Sequence, residues 1–258
     1  LEQNPIQEKK LLEAAMYAPQ WMEIVSKHLG WEGLRSAAWY FHAHINERFT
    51  AEKETIVAHY SPISPQEFND GAFDIAWFEE AYAAVGEERF NLLYDCAKYI
   101  SGGANHRRSQ LFADAALGKL RLEDMRQSVQ EKRNKDHLLT YSLIPFQAEQ
   151  ERDLRERYDF IQKFLLESKQ FGAQRRASEG AAAQIALGNL ARNAGYTDVT
   201  RLIWNMEASK LDEMKSYFEP KALDETTTAQ LVIDEDGQSE LVLVSKGKTL
   251  KTVPARFK

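Results

Sequence analysis

A glycine pair followed by one histidine and two arginines is the segment best suited to holding an anion. Gly102 and Gly103 precede His106, Arg107 and Arg108. Free backbone amides at a helix start, beside cationic side chains, can bind a phosphate or a carboxylate. The segment lacks the Lys-Ser/Thr ending of a phosphate-binding loop and the glycine spacing of a dinucleotide site. A glycine-capped turn between antiparallel helices is the alternative interpretation.

His42 and His44 are the other candidates for acid–base chemistry or metal binding. Residues two apart on a helix point about 200° apart, so these histidines would not easily bind one ion. On a strand they would share a face and could act together. We therefore expect structural roles and predict no catalytic residue, metal or cofactor. The alternative is part of an enzyme, or an anion or phosphate site, in which folding brings His42 and His44 to His106, Arg107 and Arg108.

Cys96 is the only cysteine of the chain. A single thiol excludes an internal disulfide framework and a metal site built from several thiolates, and it favours a reducing compartment. Apolar neighbours in the sequence predict a thiol packed in a helix, and the adjacent Asp95 would raise the thiol pKa rather than activate it.

The stretch 184–206 is the remaining functional candidate. It resembles a helix-turn-helix of the kind found in arabinose-regulator-like DNA-binding domains, with Thr200, Arg201 and Asn205 as the residues that would face DNA. A recognition helix usually presents several basic and amide side chains from its first turns, whereas this one has a single arginine and acidic neighbours. The net charge of −6 also opposes attraction to nucleic acid. A helical corner is therefore our prediction, with DNA binding as the alternative.

The composition is that of a folded chain without a membrane segment. The sequence has 258 residues, of which 43% are hydrophobic and 28% charged, enough for one large domain or two smaller ones. No apolar stretch approaches the roughly 20 residues that a membrane-spanning helix needs, and no signal peptide pattern is present at the start. We expect a cytoplasmic protein with no membrane partner.

Apolar residues at helical spacing predict helices along most of residues 1–220. In 31–45, for example, they form one wide face. Glycines follow several of these helices, which predicts a mainly α fold of stacked antiparallel pairs, either like HEAT or armadillo repeats or as an irregular α-bundle.

Two local signals are sharper than the general helical pattern. Ser64, Pro65 and Glu67 occupy cap, first-turn and capping-box positions, which predicts that a short helix starts there. Gly86 is predicted to end the helix that begins near Ala72.

The pattern changes after Pro220. Residues 1–220 are predicted to form the helical domain, with candidate internal boundaries near 61–71 and near 145–149. Residues 221–258 are predicted to form a small antiparallel β meander, the start of a further region that is missing here. Its three strands are expected at 231–233, 241–244 and 249–253.

Several segments spread along most of the chain carry a family resemblance. They are 18–21, 28–34, 39–44, the turn at His106 and Arg107, 178–208 and 247–258. Together they resemble the large bacterial proteins related to the molybdate-metabolism-regulator-like protein MolR and to YehI, which often carry an N-terminal WGR domain ahead of a long region of unknown function. The resemblance implies a bacterial cytoplasmic origin and a multidomain parent, and it carries no known activity or catalytic residue.

The sequence predicts a non-catalytic scaffold or protein-interaction module of a larger protein, because helical layers offer extended surfaces and no complete catalytic set is visible. Its partner would be another protein or a missing region of the parent chain. Nucleic acid is not an expected partner.

Overall fold

The computed structural model describes residues 6–45, 49–101, 103–147, 149–233, 237–250 and 252–254. The chain forms two compact units, Leu1–Val199 and Thr200–Lys258. In the part that the structure describes, twelve α-helices precede a small antiparallel sheet, so the predicted mainly α fold with a C-terminal β meander is confirmed. The units divide at residue 199, whereas the change in sequence pattern lies at residue 220.

The first half of unit 1 is built around its third helix, Leu34–Ile45. This helix contains an unbroken run of buried residues from Ala37 to its end, including His42 and His44. It packs against helices on both sides in sequence, which is how aromatic residues from distant segments come to share one core. The helices of this half are α1 Glu8–Tyr17, α2 Met22–Leu29, α3 Leu34–Ile45, α4 Ala51–Tyr60, α5 Pro65–Asp70 and α6 Ile75–Ala97.

The two local signals of the sequence are both present. Ser64 caps α5 with a complete capping box, in which Glu67 accepts from the backbone N–H of Ser64. Gly86 interrupts α6 with φ 76° and ψ 165°, a conformation outside the helical region. The two halves of α6 therefore meet at a break where glycine is needed, since L-residues rarely adopt that backbone conformation.

The second half of unit 1 packs around its ninth and eleventh helices, which contact each other. Its helices are α7 Ala104–Ala116, α8 Leu122–Lys132, α9 Lys135–Leu143, α10 Gln150–Glu167 and α11 Ala173–Asn193. The helix α9 contacts α7, α8 and α11, so its neighbours are not limited to adjacent elements of the sequence. Layers of a repeat protein contact their sequence neighbours only. Of the two predicted arrangements, these contacts fit the irregular α-bundle.

Arg133 ties three of these helices together. It follows α8 in the left-handed conformation, with φ 50°. Its guanidinium donates to both carboxylate oxygens of Glu179 at 2.7–3.1 Å, to Glu167 at 2.9 Å and to the carbonyl of Phe164 at 2.7 Å. Arg175 donates to the same Glu179 at 2.8 Å. This buried network joins the end of α8 to α10 and α11.

Unit 2 contains one helix and four strands, in the order β1-β2-β3-β4 with antiparallel pairing throughout. Three strands were expected; the fourth arises because Lys221 and Ala222 pair with β2. The last strand ends at Leu250 rather than at Val253, and residue 251 lies outside the described residues. The elements are α12 Val199–Phe218, β1 Lys221–Ala222, β2 Thr227–Ile233, β3 Ser239–Ser245 and β4 Lys248–Leu250.

Candidate functional site

His42 and His44 lie in the core of unit 1 on the helix α3. Burial lowers the pKa of each to about 3, with a smaller contribution from the charge of Lys53 at His42 and of Arg108 at His44. Both imidazoles are therefore neutral at physiological pH. Two residues on a helix that are two positions apart point in different directions, so the structural roles expected from the sequence stay a prediction.

The anion-binding candidates point in different directions. His106 stacks on the Tyr94 ring at 4.2 Å and its Nε2 lies 2.9 Å from the Tyr94 carbonyl oxygen. Arg108 is half-buried and donates to the Asn69 carbonyl at 2.7 Å. Arg107 and Gly103 are exposed, and Gly102 lies outside the described residues. The alternative in which folding joins His42, His44 and His106 in one site stays a prediction, as does an anion site at this helix start.

Cys96 is buried, and its Sγ lies 3.9 Å from the carbonyl oxygen of Lys9. Burial, with a smaller contribution from Glu13, raises the pKa of the thiol to about 11. The thiolate that nucleophilic chemistry requires is therefore scarce at neutral pH. Within the described residues, no group of three or more His, Cys, Asp or Glu side chains is placed to hold a metal ion.

Thr200, Arg201 and Asn205 are exposed on α12, near the start of that helix. Trp204, directly before Asn205 on the same helix, is 70% exposed. An exposed tryptophan on this face is unlike the basic and amide surface that reads DNA bases. DNA binding through these residues stays a prediction.

A groove in unit 2 is lined mainly by apolar side chains. It encloses about 380 Å³ between the end of α12 and the sheet. Met214 and Tyr217 form its helical wall, and Leu231 and Leu241, which pair across β2 and β3, form its floor. Lys221 lies at one side with its Nζ 4.2 Å from the Tyr217 ring centre. We call this surface the α12 groove.

Large apolar side chains are exposed both in the α12 groove and elsewhere on α12. Tyr217 is 57% exposed, Leu211 54% and Leu241 53%. Leu211 and Trp204 are seven residues apart and therefore share one side of α12. Contiguous exposed apolar surface, such as the walls of the α12 groove, marks binding sites more often than isolated exposed residues do. The sequence did not predict this surface, because apolar residues at helical spacing usually indicate a buried face.

Comparisons with known proteins give one finding about family. Residues 1–206 match the family described as Family of unknown function (DUF5724), which covers unit 1 and the start of α12. Comparison with curated proteins and with solved structures finds no match. None of the described helices has both the length and the hydropathy needed to span a bilayer.

Proposed function

The chain belongs to DUF5724, a family of unknown function, and we propose that it is a non-catalytic interaction module that binds another protein. The partner is a separate protein or a further region of a larger parent chain. A bacterial cytoplasmic setting and kinship with the WGR-domain proteins related to MolR and YehI, which the sequence resemblance implies, are parts of the same proposal.

The observation that carries the proposal is the α12 groove. Its apolar walls and the exposed Trp204 and Leu211 leave large hydrophobic side chains in contact with water. Covering such side chains is favourable by roughly 25 cal/mol for each Å² of apolar surface removed from water. Aromatic residues such as Tyr217 and Trp204 are also those that most often dominate the energetics of protein interfaces.

The candidates for chemistry support a binding role rather than catalysis. His44 and Cys96 are buried, and burial holds each in its uncharged form near neutral pH. A general acid or base needs a pKa near the working pH and contact with the substrate. These two side chains supply neither.

A selection from a displayed peptide library tests the proposal. The full chain is the bait, and the selected peptides are then measured against the groove variant Tyr217→Ser/Leu241→Thr. Each substitution removes an apolar contact worth about 1.5–3 kcal/mol when fully covered, so affinity should fall by more than about tenfold.

The matched control is Tyr17→Ser/Ile24→Ser, which removes exposed apolar side chains from α1 and α2 instead. Peptides that recognise the α12 groove should bind this control as they bind the native chain. A selection that enriches no peptide, or peptides that bind the groove variant with native affinity, would contradict the proposal.

A further inference from the structure

A second cavity, of about 360 Å³, lies in unit 1 between α5, α11 and the segment 197–199. Glu67 comes from α5, Gln184, Gly188 and Arg192 come from α11, and Asp198 follows α11. Pockets that bind small molecules typically enclose about 300–1,000 Å³. We call this cavity the Arg192 pocket.

The floor of the Arg192 pocket is made of small residues. Gly188 and Ala191 face it one turn apart on α11. A Cβ atom added at Gly188 would lie 3.4 Å from Nη1 of Arg192, so the guanidinium lies directly over the glycine. Glycine inside a helix is unfavourable relative to alanine. Its effect here is to keep the space under the arginine open.

Most of the N–H donors of the Arg192 guanidinium have no hydrogen-bond acceptor among the described residues. The side chain is half-buried, yet within the described residues its one hydrogen bond is a long one, 3.4 Å to Oδ1 of Asn189. A guanidinium carries five N–H donors in a planar fork that matches a carboxylate. Burial lowers the pKa of Arg192, because the charged form is less stable away from water.

Two carboxylates, those of Glu67 and Asp198, also line the Arg192 pocket. Glu67 receives both the backbone N–H and the hydroxyl of Ser64 on Oε2, at 3.0 and 2.7 Å. Those hydrogen bonds lower the pKa of Glu67, and the Arg192 charge lowers it further. Asp198 lies at the exposed rim, where its Oδ2 accepts from Thr197 at 3.2 Å. The charges of Arg192 and Glu67 influence one another although no ion pair within 4 Å joins them in the described part of the chain.

We propose that the Arg192 pocket binds a small zwitterion of the α-amino acid type, with its carboxylate on Arg192 and its ammonium group toward Glu67 and Asp198. A simple anion would gain one arginine but would face Glu67 and Asp198, both of which act against it. A simple cation would face the half-buried Arg192 charge. A ligand with both charges satisfies both sides, and the cavity leaves room for its side chain.

Isothermal titration of the full chain tests the proposal, with the common L-amino acids as probes at millimolar concentration. The tightest of them is then compared with two analogues that keep its side chain, namely the carboxylic acid without the amino group and the amine without the carboxylate. The amino acid should bind, and each analogue should bind at least about tenfold more weakly because each leaves one charged side of the pocket unmatched.

Variants separate the pocket from the rest of α11. Arg192→Gln should weaken binding at least about tenfold. Arg176→Gln, which removes an exposed arginine sixteen residues earlier on the same helix, should leave binding unchanged. Gly188→Ala should fold no less well, because alanine favours a helix, yet should bind more weakly because its methyl group occupies the floor. This last variant keeps the test decisive if Arg192→Gln folds poorly.

Three outcomes would overturn the proposal. One is that no amino acid binds the native chain. Another is that the acid or the amine binds as tightly as the amino acid, which would mean recognition of an anion or of a cation alone. The third is native affinity in Gly188→Ala and Arg192→Gln.

Discussion

His44 lies among Tyr40, Phe68 and Phe73, and within the described residues its Nε2 atom has no hydrogen-bond partner. An imidazole in such surroundings is strongly disfavoured in its charged form. His44 is therefore a neutral core side chain at physiological pH, although histidine often does acid–base chemistry there. The same burial has a measurable consequence for stability.

Acid should destabilise the chain through His42 and His44. In the unfolded chain each takes up a proton near pH 6.5, but in the folded chain only near pH 3. The unfolded state therefore binds more protons between these values, and stability falls as the pH drops through that window. Between about pH 7.5 and 5.5 each histidine should cost about 1.4 kcal/mol of unfolding free energy.

Urea unfolding of His44→Leu at the two pH values checks this, since the variant should lose about half of the acid sensitivity that the two histidines confer. The exposed His28 provides the control His28→Gln, which should show the native pH dependence. An unchanged pH dependence in His44→Leu would show that His44 is not the group that titrates.

The sequence predicted correctly that the histidine pair lies on a helix, because residue spacing on a helix is a local property. It could not predict where His106 and Arg108 point. Their carbonyl partners belong to Tyr94 and Asn69, which lie 12 and 39 residues away, and only the packing of α5, α6 and α7 brings them close.

At the scale of helices, features set by residues close in the sequence were predicted, and features set by residues far apart in the sequence were not. The capping box at Ser64 and the break at Gly86 follow from side-chain and backbone preferences over a few residues, and both were predicted. Arg133 gave no comparable signal. Its partners Phe164, Glu167 and Glu179 are 31 to 46 residues further along the chain, and their role is visible only once α8, α10 and α11 have packed.

Removing the Glu179 side chain should lower the free energy of unfolding, because Glu179 joins α11 to Arg133 at the end of α8. Burial raises its pKa, but hydrogen bonds from Arg133 and Arg175 outweigh burial and hold the pKa below the ordinary value. Its stabilising contribution is therefore present above about pH 4.5 and is lost as the pH falls through the lower, folded-state pKa. Glu179→Ala leaves the Arg133 guanidinium mostly buried without its main partner, which should cost about 3–5 kcal/mol of unfolding free energy at pH 7.

Urea denaturation at pH 7 measures this loss. Glu149→Ala is the control, because Glu149 and Arg152 form a largely exposed pair at 3.4 Å that should contribute less than about 1 kcal/mol. Similar losses in the two variants would mean that the Arg133 network adds no more than a surface ion pair.

For the molecule as a whole, the sequence predicted the fold class, and its domain boundary at residue 220 stays a prediction. The change from helical to strand-like sequence at Pro220 is plain in the residue pattern. The structure nevertheless groups α12 with the sheet, since compactness depends on which residues meet and not on which secondary structure they form. The extra strand β1 escaped prediction for a related reason: Lys221 and Ala222 are a strand only through their pairing with β2.

The two units should differ in their ability to fold alone. Unit 1 has an extensive core that includes Leu34, Phe73, Phe90 and Leu187. The described residues of unit 2 bury only Leu202, Met206, Thr227 and Leu243. A small domain needs enough buried apolar surface to offset the entropy of ordering its chain, and chains of this length are marginal even with a good core.

We therefore expect a fragment of residues 1–199 to unfold cooperatively in urea with helical circular dichroism, and a fragment of residues 200–258 to be largely unfolded. Thermal and urea unfolding of both fragments, beside the full chain, measures this. The fragment 1–199 should keep the acid sensitivity conferred by His42 and His44, since both lie in it. A gradual, non-cooperative transition in 1–199, or a cooperative one in 200–258, would show that the cores are not divided as the compact units indicate, because each core stabilises only the residues that it buries.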